Sequence, residues 1–154
     1  MDRALVVVEA TEATKQLLRE AGELAEGVEA EIILVHVTTE EQYADRADAL
    51  ANIPDVDVSY DVTQARDGAG QFARDIGNEV LADLDVEFSA IGRLGDKVEE
   101  VLAVADEYGC DHLFVTGRQR SPTGKAIFGD RAQALILNFA GPVTVTTVAA
   151  GDNS

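Results

Sequence analysis

The sequence has 154 residues and contains one cysteine, three prolines, three lysines and no tryptophan. Because Cys110 is the only cysteine, no disulfide can form within the chain. Its position in Gly-Cys-Asp, before an apolar run, favours a small buried side chain over a reactive thiol. The two histidines, His36 and His112, have no cysteine or second histidine near them, so we expect neither to bind a metal.

Patterns that would indicate an enzyme or a membrane protein are also missing. There is no Gly-x-Ser-x-Gly motif and no histidine after a candidate serine nucleophile, so we expect no enzyme. Slow ATP hydrolysis is the least favoured function, because Gly124-Lys125 is followed by Ala126 and not by a hydroxyl for Mg²⁺. No apolar run approaches the roughly 20 residues of a membrane span, and no signal-peptide pattern follows Asp2 and Arg3. We therefore expect a cytoplasmic protein.

Positive charge is scarce. Only 12 Lys and Arg residues stand against 29 Asp and Glu residues, which gives a formal net charge of −17. Such a surface repels nucleic acid and anionic lipid, so we expect neither as a partner. Few lysines, with acidic residues spread along the whole chain, are typical of adaptation to a salt-rich cytoplasm, where screening weakens self-repulsion. We interpret the sequence as halophilic, of the kind found in halophilic archaea.

Apolar runs and helical repeats alternate along the sequence. The apolar runs predict five strands: Leu5–Val8, Glu31–Val37, Val86–Ile91, Leu113–Thr116 and Val143–Val148. Apolar residues spaced by three and four predict five helices: Thr11–Gly27, a short one around Glu40–Leu50, Thr63–Leu81, Asp96–Tyr108 and Ala132–Phe139.

Alternation of strand and helix indicates a parallel sheet covered by helices on both faces. An eight-unit barrel would need about 250 residues, so the sequence predicts an α/β fold with an open, doubly wound, five-stranded sheet. This domain would span residues 1–149, followed by a short polar tail at 150–154. Ligands of such sheets lie beyond the carboxyl ends of the strands, which points to Glu9–Thr11 and Gly117–Lys125.

The stretch Val115–Arg131 concentrates glycine and positive charge. It contains four of the twelve basic residues, and no acidic residue lies between Asp111 and Asp130. Its three glycines allow the backbone to approach a ligand, and the helix that follows offers free N–H groups. A cationic, glycine-rich loop between a strand and a helix is typical of a phosphate site.

Three segments resemble the universal stress protein family. They are VVVEATEAT at the first strand, IILVHV at the second, and TGRQRSPTGKAIFGDRAQALILNFAGPVTV from Thr116 to Val145. The resemblance implies a flavodoxin-like, Rossmann-like fold with strand order 3-2-1-4-5 and a sensing or regulatory role in stress response. It also implies a homodimer through the last strand, with Val143 and Val145 at the interface.

The same resemblance implies nucleotide binding. Nucleotide-binding members carry Gly-x-x-Gly, nine residues, then Gly followed by Ser or Thr; Gly117 matches the first glycine and Gly129 the last. Glu9 matches an acid near the nucleoside, and Val37 matches a residue that lines the adenine pocket. The implied ligand is ATP or AMP, with Mg²⁺ if it is ATP. The implied nucleotide-binding residues are Val7, Val8, Glu9, Val37, Gly117, Arg118, Arg120, Gly124, Lys125, Gly129 and Asp130.

Two departures from the family pattern leave two predictions of function open. Arg120 replaces the second glycine in a loop one residue short, and Asp130 replaces the terminal hydroxyl residue. An ionised Asp repels phosphate by about 3–4 kcal/mol at about 4–6 Å before screening. Asp130 would then cap the following helix and close the pocket, leaving a nucleotide-free dimer that binds an unknown protein. Alternatively, Arg118, Arg120 and Lys125 offset its charge and a nucleotide binds.

Three further side chains have alternative interpretations. Glu9 would either position a metal together with phosphates or cap the helix that follows it. A histidine near the end of a strand can touch a ligand, but we expect His36 to be hydrogen-bonded within the fold. We expect His112, at the start of a strand, to be structural.

Overall fold

The computed structural model describes residues 1–51, 62–118 and 129–148. The elements in chain order are β1 (Arg3–Val7), α1 (Glu12–Val28), β2 (Glu31–Thr38), α2 (Glu40–Ala51), α3 (Val62–Val80), β3 (Phe88–Leu94), α4 (Lys97–Glu107), β4 (His112–Arg118), α5 (Asp130–Asn138) and β5 (Val143–Val148). All four strand pairs are parallel, and the strand order is β3-β2-β1-β4-β5. The doubly wound five-stranded fold predicted from the sequence is therefore confirmed.

The central strand β1 is buried on both faces, as its continuous apolar run predicts. Ala4, Val6 and Val8 pack into one core cluster with residues of α1 and α3. Leu5 and Val7 point to the opposite face and pack with residues of α4 and α5. Because side chains alternate along a strand, one short apolar run contributes to both cores.

The ends of α1 differ from the sequence prediction. Thr11 caps the helix, and its hydroxyl accepts a hydrogen bond from the Thr14 N–H at 3.2 Å. Gly27 does not end the helix, which continues to Val28 and stops where Glu29 adopts a left-handed conformation with φ of 58°. The Glu29 N–H bonds to the Ala25 and Glu26 carbonyls of the same helix, so local hydrogen bonds close its last turn at a residue that is not glycine.

Strand β3 begins two residues later and ends three residues later than predicted. Its ladder with β2 runs from Ile32 paired with Phe88 to Thr38 paired with Leu94. The sequence prediction stopped before Gly92, because glycine usually weakens a strand. Here Gly92 lies inside the strand, beneath α3, where a side chain would not fit.

Candidate functional site

The carboxyl ends of β2, β1 and β4 bring three of the predicted site residues into one row. The β1–β2 ladder pairs Val7 with Val35, so two residues further along Glu9 lies level with Val37. The β1–β4 ladder ends at Val6 paired with Phe114, and its register, if continued three residues past the ladder, would bring Glu9 level with Gly117. This row is at the point where the strand order reverses, which is the usual ligand site of a doubly wound sheet.

Three predicted site residues, one of which belongs to this row, can offer a ligand only their backbone. Val8 and Val37 are at most 3% exposed, and Val7 is 9% exposed, because their side chains lie in the two cores. The Val8 N–H is already used, since it donates to the Val35 carbonyl at 2.8 Å. Only the main chain at these positions can face a ligand.

Glu9 forms an ion pair with Lys97, the first residue of α4. The Lys97 ammonium donates to both carboxylate oxygens, at 3.0 and 3.2 Å, and the two side chains are 13% and 29% exposed. The Glu9 backbone N–H donates to the Thr14 hydroxyl at 3.0 Å. The interpretation of Glu9 as the cap of α1 is therefore wrong: Thr11 is the cap, and the Glu9 carboxylate faces α4.

No sequence pattern pointed to Lys97. It lies 88 residues from Glu9 in the chain, so nothing local relates the two. The only feature of the sequence that could have drawn attention to Lys97 is the rarity of lysine. Lys97 is one of three lysines in a chain with 29 acidic residues.

A cleft of about 350 Å³ opens beside this row, between the ends of β1 and β2 on one side and α2 and α3 on the other. Its walls combine charged, polar and aromatic groups, and the lining residues are Glu9, Ala10, His36, Thr38, Gln42, Asp45, Arg46, Gly68, Ala69 and Phe72. The cleft thus joins Glu9 to a surface with an aromatic ring, a histidine and an arginine.

His36 is held in the wall of this cleft by two contacts. Its Nδ1 lies 2.7 Å from the Val8 carbonyl oxygen, so Nδ1 carries a proton and donates. Its ring lies 4.5 Å from that of Phe72, tilted by 50°. The expectation that His36 is hydrogen-bonded within the fold is confirmed. Among the described residues no buried side-chain nitrogen or oxygen lacks a partner, and His36 is one of the residues that line the cleft.

A larger hollow of about 650 Å³ lies between α1 and α3 and shares Ala10 and Phe72 with the smaller cleft. Its charged lining comprises Glu12, Asp75 and Glu79 with Lys15 as the single cation. The Lys15 ammonium is paired with Glu79 at 3.1 Å and Glu12 at 3.7 Å. Uncompensated acidic charge makes this hollow unsuitable for a phosphate, although it is the larger of the two.

The start of α5 differs from the predicted arrangement around Asp130. Gly129 is the N-cap residue and forms no side-chain capping bond, while Asp130 is the exposed first residue of the helix. The prediction that Asp130 caps α5 is therefore wrong. Its carboxylate still lies in the first turn, where the helix dipole favours negative charge.

The phosphate side of the predicted site is only partly described. Gly117 is buried in β4, and the backbone of Arg118 ends that strand, paired with Val148 of β5. The predicted phosphate contacts Arg120, Gly124 and Lys125 lie outside the described residues, as does the tail at 150–154.

The remaining predictions for single side chains concern Cys110 and His112. Cys110 is buried, and burial raises the pKa of its thiol to about 11, so the prediction of an unreactive filler is confirmed. His112 donates to or accepts from the Thr144 hydroxyl through Nε2 at 2.8 Å and stacks on Phe114 at 4.6 Å. Burial lowers the pKa of His112, and its role is structural, as predicted.

Two absences apply to residues 1–51, 62–118 and 129–148 only. In these segments no three His, Cys, Asp or Glu side chains are grouped closely enough to hold a metal ion. No helix in them has the length and apolar character needed to cross a membrane.

Comparison with known proteins identifies the family. Residues 1–147 match the model of the universal stress protein family, and no curated protein sequence matches the chain. The structure is similar to that of the hypothetical protein MJ0577, with a TM-score of 0.69 and 20% identity over 99% of this chain and 98% of that one. It is also similar to a universal stress protein in complex with cAMP (TM-score 0.61, 15% identity, 95% of this chain and 96% of that one). A universal stress protein from Archaeoglobus fulgidus in complex with dAMP gives a TM-score of 0.57 and 16% identity over 94% of this chain and 96% of that one.

Because the family model matches nearly the whole chain, this protein belongs to the universal stress protein family.

Proposed function

We propose that this protein binds an adenine nucleotide, AMP or ATP, and serves as a cytoplasmic sensor or regulator in stress response and not as an enzyme. The observation that carries the proposal is the single row formed by Val37, Glu9 and Gly117 beside an open cleft. Family membership and two similar structures, described as complexes with cAMP and dAMP, support the ligand class.

The cleft suits the base and the ribose. Its volume of about 350 Å³ is within the roughly 300–1,000 Å³ of small-molecule pockets. Phe72 offers an aromatic ring, and His36 lines the cleft with a ring that can hydrogen-bond to the base. Glu9 lies between this cleft and Gly117, where a ribose hydroxyl would donate to its carboxylate.

We propose that the phosphates of the ligand lie at the start of α5. Gly129 has no side chain with which to cap the helix, so the first N–H groups are left for another acceptor. A phosphate there would also gain from the positive end of the helix dipole. We propose that Arg118, Arg120 and Lys125 neutralise it, with Mg²⁺ present if the ligand is ATP.

The exposed carboxylate of Asp130 favours a second candidate, a nucleotide-free module that binds a protein partner. Isothermal titration of AMP and of ATP-Mg separates the two, at a KCl concentration of about 1 M where surface repulsion is screened. Heat that saturates with millimolar or lower affinity supports the nucleotide site. No heat at about 10 mM ligand would leave the interaction module as the better description.

We further propose that two copies pair through β5. Within the described segments this strand pairs only with β4, so no described strand covers its other edge. The Leu113 N–H donates to the Pro142 carbonyl, and Leu113 pairs with Val143. These two contacts determine which residues of β5 direct their backbone N–H and C=O groups towards β4 and which direct them away. In a parallel ladder the N–H and C=O of Val143, Val145 and Thr147 then point away from β4. The side chains of Val143 and Val145 pack on their own core, so a dimer would use the backbone at these positions.

A further inference from the structure

The ion pair between Glu9 and Lys97 lies just after β1, between the cleft proposed for the base and ribose and the neighbouring strand β4, which leads to the proposed phosphate site. With the β1–β4 register continued past the ladder, Glu9 is level with Gly117 on the neighbouring strand, and Lys97 approaches from the start of α4. Of the seven ion pairs in the described part of the chain, it has the least exposed partners, at 13% for Lys97 and 29% for Glu9. Water therefore screens this pair less than the surface pairs.

A carboxylate at this position would weaken the binding of an anionic ligand. Adjacent strands of a sheet lie about 4.8 Å apart, so a group held at Gly117 is one strand spacing from Glu9. Unpaired, the Glu9 carboxylate would repel a phosphate across that distance. The residues beside Lys97 do not offset this charge, since Asp96 and Glu99 lie next to it at the start of α4, in a chain with a net charge of −17.

We infer that Lys97 is the counter-charge that makes the site selective for nucleotides over nucleosides, and that it acts through Glu9. Its ammonium donates to both oxygens of the Glu9 carboxylate. These bonds fix the position of the Glu9 side chain and offset its negative charge. The inference rests on the proposed nucleotide site and adds to it the residue that sets the charge preference. Lys97 is a positioning residue in this scheme, because it contacts Glu9 and not the ligand.

The test is isothermal titration of AMP and of adenosine into four proteins: wild type, Lys97→Met, Glu9→Gln and the double variant. It is run at the lowest KCl concentration at which circular dichroism shows wild type to be folded. We expect Lys97→Met to bind AMP about tenfold more weakly and adenosine within about twofold of wild type. The double variant should bind AMP within about twofold of Glu9→Gln, because the unpaired carboxylate is gone.

Lys15→Met is the matched control. It makes the same change of charge at a lysine that is also ion-paired, but on α1 beside Glu12 and Glu79. We expect its AMP affinity to stay within about twofold of wild type. If Lys97→Met does not fold, Lys97→Gln replaces it, since the amide still donates to Glu9 without carrying charge.

Each outcome bears on one of the two proposals. If wild type binds AMP and Lys97→Met binds it equally well, the inference is overturned while the nucleotide site stands. An equal loss of affinity for AMP and for adenosine in Lys97→Met would show that Lys97 only maintains the fold of the site. A double variant as weak as Lys97→Met would mean that Lys97 acts directly on the phosphate. If wild type binds neither AMP nor ATP, the nucleotide site is lost and the inference with it.

Discussion

Gly92 lies against the backbone of Arg66 so closely that a Cβ at Gly92 would be 2.0 Å from the Arg66 carbonyl oxygen. The same Cβ would be 2.4 Å from the Gly70 nitrogen, so both contacts are with the backbone of α3 and cannot move aside as a side chain would. This contact fixes how near α3 lies to β3. Phe72 is two residues beyond Gly70 on that helix, so the contact also fixes one wall of the cleft.

Gly92→Ala should therefore destabilise the protein by about 2–3 kcal/mol, because a helix backbone must shift to admit one methyl group. Urea unfolding followed by circular dichroism measures the change in the free energy of unfolding. Gly27→Ala is the control: this helical glycine has no atom within 4 Å of the added Cβ, and the change should stabilise by about 0.5–1 kcal/mol. Equal stability of Gly92→Ala and wild type would contradict the close packing of α3 on β3.

Asp111→Asn should lower stability at neutral pH and lose its effect in acid. The Asp111 carboxylate accepts from the backbone N–H groups of Asp2 and Arg3 at 2.9 and 3.2 Å, and the bond from Asp2 is the main cause that lowers its pKa. Because the pKa of Asp111 is lower in the folded than in the unfolded chain, its ionised carboxylate stabilises the fold above about pH 4. This stabilisation is lost as the pH falls through the pKa of the folded chain.

The expected difference between wild type and Asp111→Asn is about 0.5–1 kcal/mol at pH 7, a low value because the carboxylate is exposed. The difference should shrink towards zero near pH 2. Urea unfolding at pH 7, about 4 and about 2.5 gives the profile. Asp67→Asn, at an exposed carboxylate in α3, serves as the control for removing one surface charge. A difference that is constant with pH would rule out the carboxylate as its source.

Asp130→Ser should tighten the binding of AMP if the phosphate lies at the start of α5. The change removes a negative charge from the first turn and supplies a hydroxyl donor, so we expect about tenfold higher affinity after screening. Adenosine, which has no phosphate, is the control ligand and should bind both proteins equally. Isothermal titration that shows unchanged AMP affinity would place the phosphate away from Asp130.

Thr147→Pro should convert a dimer into a monomer. The Thr147 side chain is exposed and its N–H points to the edge of β5 away from β4, so proline removes an edge donor and leaves the ladder with β4 intact. Multi-angle light scattering measures the mass of each variant. Thr147→Ala keeps the N–H and should remain dimeric. A Thr147→Pro protein that is still dimeric would show that the subunits pair elsewhere, and a monomeric wild type would remove the β5 dimer altogether.

The thermal stability should rise with KCl concentration. A net charge of −17 repels itself, and salt screens that repulsion, so we expect about 2 kcal/mol between about 0.05 M and about 2 M KCl. For a chain of this length that corresponds to about 4–8 °C in melting temperature. Sucrose at the same osmolarity controls for effects other than screening. A melting temperature that is the same at both KCl concentrations would contradict the halophilic interpretation.

The sequence by itself determined the layered architecture of this protein. Apolar runs such as Leu5–Val8 and helical repeats such as that of α1 are local patterns, and local patterns survive any arrangement of the rest of the chain. The family resemblance supplied the strand order, which agrees with the ladders, and the hypothesis that Glu9 and Gly117 belong to one site.

Only the tertiary structure decided what surrounds Glu9. The carboxylate meets Lys97 from 88 residues away, and His36 meets Phe72 across two elements, because the fold brings them together and no spacing in the sequence encodes it. The same holds for Gly92, whose position inside β3 depends on the nearness of α3. Periodicity reports which face of an element is buried, whereas the partner of a charged or aromatic side chain depends on long-range packing that has no local pattern.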